Sequence, residues 1–459
     1  MKKMEVFDLI IIGGGPGGYL CAERAAAAGF SVALFEKRAI GGVCLNEGCI
    51  PTKTLLNSAK LYRHAVESES FGVRAENVSY DHARVIERKD KVVKTLVGGV
   101  VSALSSHNVR VIKAGAEIKG KTEEGFTVSS DGGEAYTAKR LCIATGSEAA
   151  VPPIPGLKEG LEAGFVMTNR EILDDTKLPE KLVCIGGGVI GLEMACFFAG
   201  VGVKVTVIEM MDKIAGATDP DICNVLVKEY KKRGMEFALS AKVLEVTESS
   251  VIYEQNGEKK AVSCDKVLLS AGRRPVSGGI GLDSIGVLTE RGAIVTDRHM
   301  CTNVANVYAV GDCNGRVMLA HTAYREAEVA ANHMTGKKDE MRYEHIPSVI
   351  YTEPEVASVG ETRASAENKG LNVKEAVMSM MYSGRYVAET DNGPGFCKLI
   401  VGGLTNRILG VHMVGSYASE QILACELMLD TELPAEQLKK LVFPHPTVGE
   451  ALREALFKI

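Results

Sequence analysis

The sequence predicts an α/β protein in which one parallel-sheet module occurs twice and an α+β segment follows. Three observations carry that reading. A glycine-rich turn joins an apolar strand to a helix, the same plan recurs later in the chain, and the hydrophobic period changes beyond about Met341.

In the first copy Phe7-Asp8-Leu9-Ile10-Ile11-Ile12 reads as a short apolar strand and Gly13-Gly14-Gly15-Pro16-Gly17-Gly18 as the turn. An alanine-rich helix then runs to Ala28, where Gly29 stops it. A second strand, Ser31 to Phe35, ends in Glu36, 18 residues after Gly18. Gly13, Gly15 and Gly18 permit a tight turn, backbone approach to a pyrophosphate and close helix packing. The helix N-terminus favours negative charge there, and Glu36 is placed to take ribose hydroxyls.

The plan returns at Leu182-Val183-Cys184-Ile185, followed by Gly186, Gly188 and Gly191, a helix, the strand Lys204 to Ile208, and Glu209. Again 18 residues separate the third glycine from the acid. One glycine-rich turn is weak evidence; two, each between strand and helix and each with a correctly spaced acid, are not. Each copy is followed by polar strand pairs and an apolar strand ending in glycine, Leu141 to Gly146 and Val267 to Gly272. A third apolar strand, Val307 to Val310, runs into Gly311-Asp312 and reads as the first module returning after the second is inserted. Two Rossmann-like dinucleotide-binding domains in one chain point to electron traffic. Beyond Met341, strands with glycine turns such as Phe396 to Val401 and helices from Ser419 and Glu450 read as the α+β domain.

At 459 residues the chain exceeds what one core supports, and 46% hydrophobic residues with 49 glycines describe a turn-rich globular protein. A net charge of −5 gives no general attraction to nucleic acid or anionic membranes, so small molecules are the expected ligands. Met1-Lys2-Lys3 precedes an apolar run, but Leu9 to Ile12 meets glycines too soon for a signal peptide. No apolar stretch approaches the roughly 18 residues of a membrane helix, so a soluble, cytoplasmic protein is expected. Of twelve cysteines most sit among apolar neighbours, as Cys184, Cys196 and Cys425 do, and read as buried thiols rather than a disulfide framework.

Cys44 and Cys49 stand apart, in Gly41-Gly42-Val43-Cys44-Leu45-Asn46-Glu47-Gly48-Cys49-Ile50-Pro51-Thr52-Lys53. A structural zinc site prefers two to four residues between paired cysteines and a second pair or histidines nearby, which do not follow here. Two buried thiols are the bland alternative, weakened by the flanking glycines. A bridge closing so short a loop would have to meet strict geometry and be prone to reduction, which suits catalysis better than structure.

These residues resemble the redox-active disulfide of the flavoprotein disulfide reductases, and Leu45-Asn46 with Ile50-Pro51-Thr52-Lys53 most resembles their dihydrolipoamide dehydrogenase branch. The likeness extends through Ala144-Thr145-Gly146-Ser147, Gly272-Arg273-Arg274-Pro275, Gly311-Asp312, Met318-Leu319-Ala320-His321 and His445-Pro446-Thr447. The resemblance implies FAD and NAD domains at 1–147 and 148–272, a central segment 273–340 completing the FAD site, and a dimerisation domain at 341–459. It implies that Cys44 meets the lipoyl sulfur and Cys49 lies against the flavin, with Lys53 nearby and paired with Glu193. The implied FAD contacts are Glu36, Gly115, Thr145, Gly146, Ser147, Asp312, Met318, Leu319, Ala320 and His321.

His445 with Glu450, five residues on, matches the family's acid/base pair. An imidazole titrating near neutrality can take a dihydrolipoyl thiol proton, and a carboxylate on its other nitrogen orients it. The resemblance further implies that His445 serves the disulfide of a partner subunit in a homodimer. The second module resembles the NAD domain, with Gly186, Gly187, Gly188, Val189, Ile190, Gly191, Leu192 and Glu193 at the pyrophosphate, Glu209 at the adenosine ribose, and Val243 and Gly272 lining the site. A carboxylate at 209 repels a 2′-phosphate and Met210-Met211 offers no arginine, so NAD is preferred over NADP. No metal is implied.

The expected activity is oxidation of protein-bound dihydrolipoyl groups with reduction of NAD+, for a carrier in a 2-oxo acid dehydrogenase complex or the glycine cleavage system. Val43 and Gly449 depart from the usual threonine and serine, and neither removes a reacting group. Glutathione reductases would want arginines after the strand ending at Ile208. Mercuric reductases carry a further C-terminal cysteine pair, whereas this chain ends Leu456-Phe457-Lys458-Ile459. A flavin-bearing subunit without turnover would not need Cys44, Cys49, His445 and Glu450 together. The chain starts only a few residues before its first strand, so no lipoyl domain is expected within it.

Overall fold

The computed structural model describes residues 5–390 and 393–459, so Met1-Lys2-Lys3 lies outside the described residues. The strand Glu5–Ile12 pairs in parallel with Val32–Phe35 on one side and Ala135–Ile143 on the other. Leu9, Ile10, Ile11, Ala33 and Leu34 are fully buried because both faces of this parallel sheet are covered, which is why the strands read as continuous apolar runs. The turn leads into the helix Pro16–Ala27, where Pro16 supplies a preset φ at a position whose N–H has no intrahelical partner. The helix ends at Ala27, one residue before the expected Ala28, with Gly29 at φ +93° immediately beyond.

The sheet runs in the order 110–112, 32–35, 5–12, 135–143, 125–130, 116–122, its last members forming an antiparallel lobe. Val307–Ala309 adds to it in parallel, Val307 opposite Leu141. The chain therefore does return to the first module after completing the second.

The second module repeats the plan. Lys181–Ile185 lies between Lys204–Ile208 and Lys266–Leu269, all parallel, and a separate antiparallel sheet is formed by 241–246, 250–255 and 258–263. Its helix Val189–Gly200 is apolar on nearly every side, because one face covers the sheet and another packs on the helix Cys49–Glu67 of the first module. That packing joins the two modules across the cysteine segment.

Residues 346–459 build a five-stranded antiparallel sheet, order 348–350, 356–360, 408–414, 396–402, 373–379, covered by the helices Ala418–Asp430 and Glu450–Phe457. Buried Lys398 on this sheet donates at 2.9 Å to both carboxylate oxygens of buried Asp219, which caps the helix Pro220–Lys232 of the second module. Leu423 and Leu427, one turn apart on the helix Ala418–Asp430, and Val442 remain exposed on the C-terminal domain. No helix among the described residues is long and apolar enough to cross a membrane.

Candidate active site

The cysteine segment is shaped by glycines. Gly41 adopts φ +99°, and a Cβ on Gly42 would run into Gly15 Cα, so only glycine lets this segment rest on the first glycine turn. A short helix, Gly42–Glu47, ends at Gly48, and a 19-residue helix begins at Cys49. Pro51 falls in its first turn, where a missing N–H costs no hydrogen bond. Both cysteines stand as free thiols, close enough for each to shift the other's titration.

The thiols are inequivalent. The hydrogen bond from Cys44 lowers the Cys49 thiol to about 7 against the effect of burial, with the charge of Lys53 assisting. The same bond and burial push the Cys44 thiol upward. Cys49 is the first residue of a long helix, whose N-terminal dipole favours a thiolate there. Lys53, one turn on, donates to the Glu193 carboxylate at 2.8 and 3.0 Å and lies 4.6 Å from the centre of the Tyr351 ring. Glu193, 3% exposed, also accepts the Tyr351 N–H at 2.9 Å, so its buried charge is satisfied from two elements.

The two glycine turns are built alike. A Cβ on Gly18 would overlap the carbonyl oxygen of Gly13, and one on Gly191 that of Gly186. Glu36 accepts the Gly14 N–H at 2.8 Å and the Arg38 N–H at 2.7 Å; Glu209 accepts from Gly187 at 2.6 Å and Met211 at 2.8 Å. Each strand-end carboxylate thus braces its own turn. Ser147 donates to Asp312 at 2.5 Å and accepts from Arg273 Nε at 2.7 Å, tying the two motifs together. Gly115 N–H donates to Asp131 at 2.9 Å.

One cavity of about 2320 Å³ runs past both turns and both cysteines. Gly13, Gly15, Glu36, Gly115, Thr145 to Ser147, Asp312 and Met318 to His321 line it, as do Lys53, Gly188 to Ile190, Glu193 and Gly272. Gly18, Gly186, Gly187, Gly191, Leu192 and Val243 do not line it, Val243 lying on the strand Ala241–Val246 and packing against a separate apolar cluster; Glu209 touches the site through its bond to Gly187. His445 and Glu450 lie outside this cavity. His445 Nδ1 is 2.7 Å from Glu450 Oε1, and Glu450 Oε2 accepts the Thr447 N–H at 3.0 Å. The bond to His445 lowers the Glu450 carboxyl, while the His445 side chain is 76% exposed. One chain therefore holds an oriented imidazole but does not bring it to its own cysteines.

Two features had no sequence signal. Tyr19 and Tyr324, 305 residues apart, hydrogen-bond through their hydroxyls, and both sense the charges of Cys44 and Cys49. Asn169 and Arg170 of the second module reach Glu47 between the cysteines.

Residues 7–327 match the pyridine nucleotide-disulphide oxidoreductase family, and residues 346–456 match that family's dimerisation domain. The chain belongs to the pyridine nucleotide-disulphide oxidoreductases. It is 38% identical to a dihydrolipoyl dehydrogenase of Geobacillus stearothermophilus, over 98% of this chain and 95% of that protein. A Bacillus subtilis protein of the same name is 37% identical over the same shares. Among solved structures, the HOCl-induced flavoprotein disulfide reductase RclA from Escherichia coli superposes with a TM-score of 0.85 at 27% identity, covering 98% of this chain and 99% of that one.

As a member of this family the chain is an oxidoreductase that uses FAD and NAD. Its residues fit both groups. A Cβ on Gly188, Gly146 or Gly272 would meet nothing within 4 Å, leaving open cradles at the cavity wall beside two helix N-termini. Gly13 to Gly18 with Glu36 and Asp312 would hold FAD, and Gly186 to Glu193 with Glu209 would hold NAD. No cluster of metal ligands occurs among the described residues.

Proposed function

We infer that this chain is a dihydrolipoyl dehydrogenase: it oxidises a protein-bound dihydrolipoyl dithiol to the cyclic disulfide and reduces NAD+. The observation that carries the reading is the unequal thiol pair. Cys49 is lowered to about 7 at a helix start beside Lys53, while the Cys44 thiol is pushed upward, and both open on the cavity that passes the two nucleotide turns.

In the oxidised enzyme the two sulfurs form a disulfide. His445 of a second copy, oriented by its Glu450, takes the proton from one dihydrolipoyl thiol. The thiolate attacks Cys44 Sγ, a mixed disulfide forms, and Cys49 leaves as a thiolate. The second dihydrolipoyl thiol, losing its proton in turn, attacks the substrate sulfur. This releases the cyclic disulfide and leaves Cys44 as the leaving group, which takes up the proton. The low Cys49 titration point makes it the better leaving group at neutral pH. Lys53 and the helix N-terminus then hold its charge, and Glu193 fixes the ammonium in place. A bound FAD would supply a two-electron acceptor beside Cys49, so that Cys44 gives up its proton and the Cys44–Cys49 bond closes again, and NAD+ would take the pair onward as hydride. Glu209 supplies the preference for NAD, since its carboxylate, already braced on Gly187, repels a 2′-phosphate.

The working form in this reading is a cytoplasmic homodimer, built through the domain from about residue 341, with the FAD, NAD and central segments dividing near residues 147, 272 and 340. Its partner is a lipoyl-bearing protein of a 2-oxo acid dehydrogenase complex or of glycine cleavage. Steady-state NADH formation from dihydrolipoamide and NAD+ tests the proposal, with NADP+ and glutathione as parallel controls. NAD-specific turnover supports it; activity confined to NADPH and another disulfide overturns it.

A further inference from the structure

Glu47 lies between the two cysteines, at the end of the short helix Gly42–Glu47, two residues before Cys49. Both nucleotide modules grip it. Its carboxylate pairs with Arg38 of the first module and receives Arg170 Nε of the second at 2.9 Å. Its main-chain oxygen accepts Asn169 Nδ2 at 2.7 Å. Asn169 in turn accepts from Arg273 at 3.4 Å, and Arg273 bonds Ser147, the partner of Asp312. The Glu47 side chain is 12% exposed, whereas Arg38 and Arg170 are nearly half exposed. The carboxylate is thus the desolvated member of the cluster, and it neutralises two cations next to the redox pair.

We propose that Glu47, clasped by Arg38, Arg170 and Asn169, is a positioning residue that sets the redox poise of the Cys44–Cys49 couple and ties it to the NAD module. The proposal rests on the reading of Cys44–Cys49 as the working couple. Without the Glu47 charge the guanidiniums stand uncompensated, the Cys49 thiolate is stabilised, and the dithiol gains over the disulfide. Removing Arg170 does the reverse, because Glu47 is then the less compensated charge. A purely structural clasp has no such sign, since both losses would loosen the same loop.

The test uses the FAD-loaded enzyme and the variants Glu47→Gln, Arg170→Met and the double variant. Each is equilibrated above pH 7 in buffers of glutathione and its disulfide, where oxidation of the enzyme dithiol to disulfide is balanced by reduction of glutathione disulfide to two glutathiones. Acid quenching, alkylation and mass spectrometry of the Cys44–Cys49 peptide read the ratio. Glu47→Gln is expected to move the dithiol-to-disulfide ratio about threefold toward dithiol and Arg170→Met about threefold toward disulfide, with the double variant between them. Shifts of the same sign in both single variants, or no shift in either while the wild type titrates, overturn the proposal. If Glu47→Gln fails to fold, Arg170→Met decides alone by the same sign. A wild-type pair that shows no reversible transition overturns the underlying redox reading instead.

Discussion

Replacing Lys53 with Met removes the cation that Cys49 shares with Glu193. Lys53 lies four residues after Cys49 on the same helix, a spacing of about 6 Å, and a unit charge at that distance in an effective dielectric near 20 is worth about 3 kcal/mol, or about 2 pKa units. Glu193 raises the thiol with or without Lys53, so its own effect cancels from the difference. The net expectation is a rise of about 1–2 units in the Cys49 thiol, from the starting value of about 7. The sign follows from the thiol losing its proton above its pKa: raising that pKa moves thiolate formation to higher pH. At pH 7 the thiolate fraction would fall from about half to below about a tenth. The assay is the pH dependence of alkylation at Cys49 in the dithiol enzyme, read by mass spectrometry on the Cys49 peptide, with Lys53→Arg as the charge-preserving control. Cys44, pushed upward, reacts only at higher pH. A Lys53→Met midpoint that stays with the wild type would refute the electrostatic account of the pair.

Gly18→Ala places a Cβ against the Gly13 carbonyl, so purified protein should emerge with less than about a tenth of the wild-type flavin content, measured by absorbance after denaturation. Glu209→Ala removes the carboxylate that braces Gly187 and, in the proposed reading, repels a 2′-phosphate; the ratio of kcat/KM for NAD+ over NADP+ should narrow by about tenfold or more. Lys398→Met strands buried Asp219 with its helix-cap N–H at 3.0 Å as its remaining partner, which should cost about 3 kcal/mol in the first urea transition. A loss below about 1 kcal/mol would show that the junction between the second module and the C-terminal domain does not depend on this pair.

The parts of the fold that were legible in the sequence are those that local sterics dictate. Gly13 at φ +109° and Gly186 at φ +106° have to be glycine, and a carbonyl sits where a side chain would go, so both turns announce themselves. Buried strands such as 9–12 are legible because sheets covered on both faces leave no polar alternation. Helix ends differed from expectation by single residues, at the C-terminal end Ala27 and the N-terminal start Ala418, because the terminal turns of a helix are held by few bonds. The contacts among distant residues were not legible. Arg170 meets Glu47 across 123 residues and Tyr19 meets Tyr324 across 305, and none of these carries a motif of its own. His445 and Glu450 were legible as a pair because five residues separate them. What the imidazole faces was not: its side chain is 76% exposed and lies outside the cavity that holds the cysteines.

The central claim is that dihydrolipoyl electrons land on Cys44 and Cys49. The most direct measurement reacts the oxidised, FAD-loaded enzyme anaerobically with dihydrolipoamide, quenches it in acid, and alkylates before mass spectrometry of the cysteine peptides. The account predicts that Cys44 and Cys49 together pass from disulfide to alkylated thiols while the labelling of the other ten cysteines is unchanged. Reduction at a different pair, or reduction of the enzyme with Cys44 and Cys49 still bridged, would contradict it.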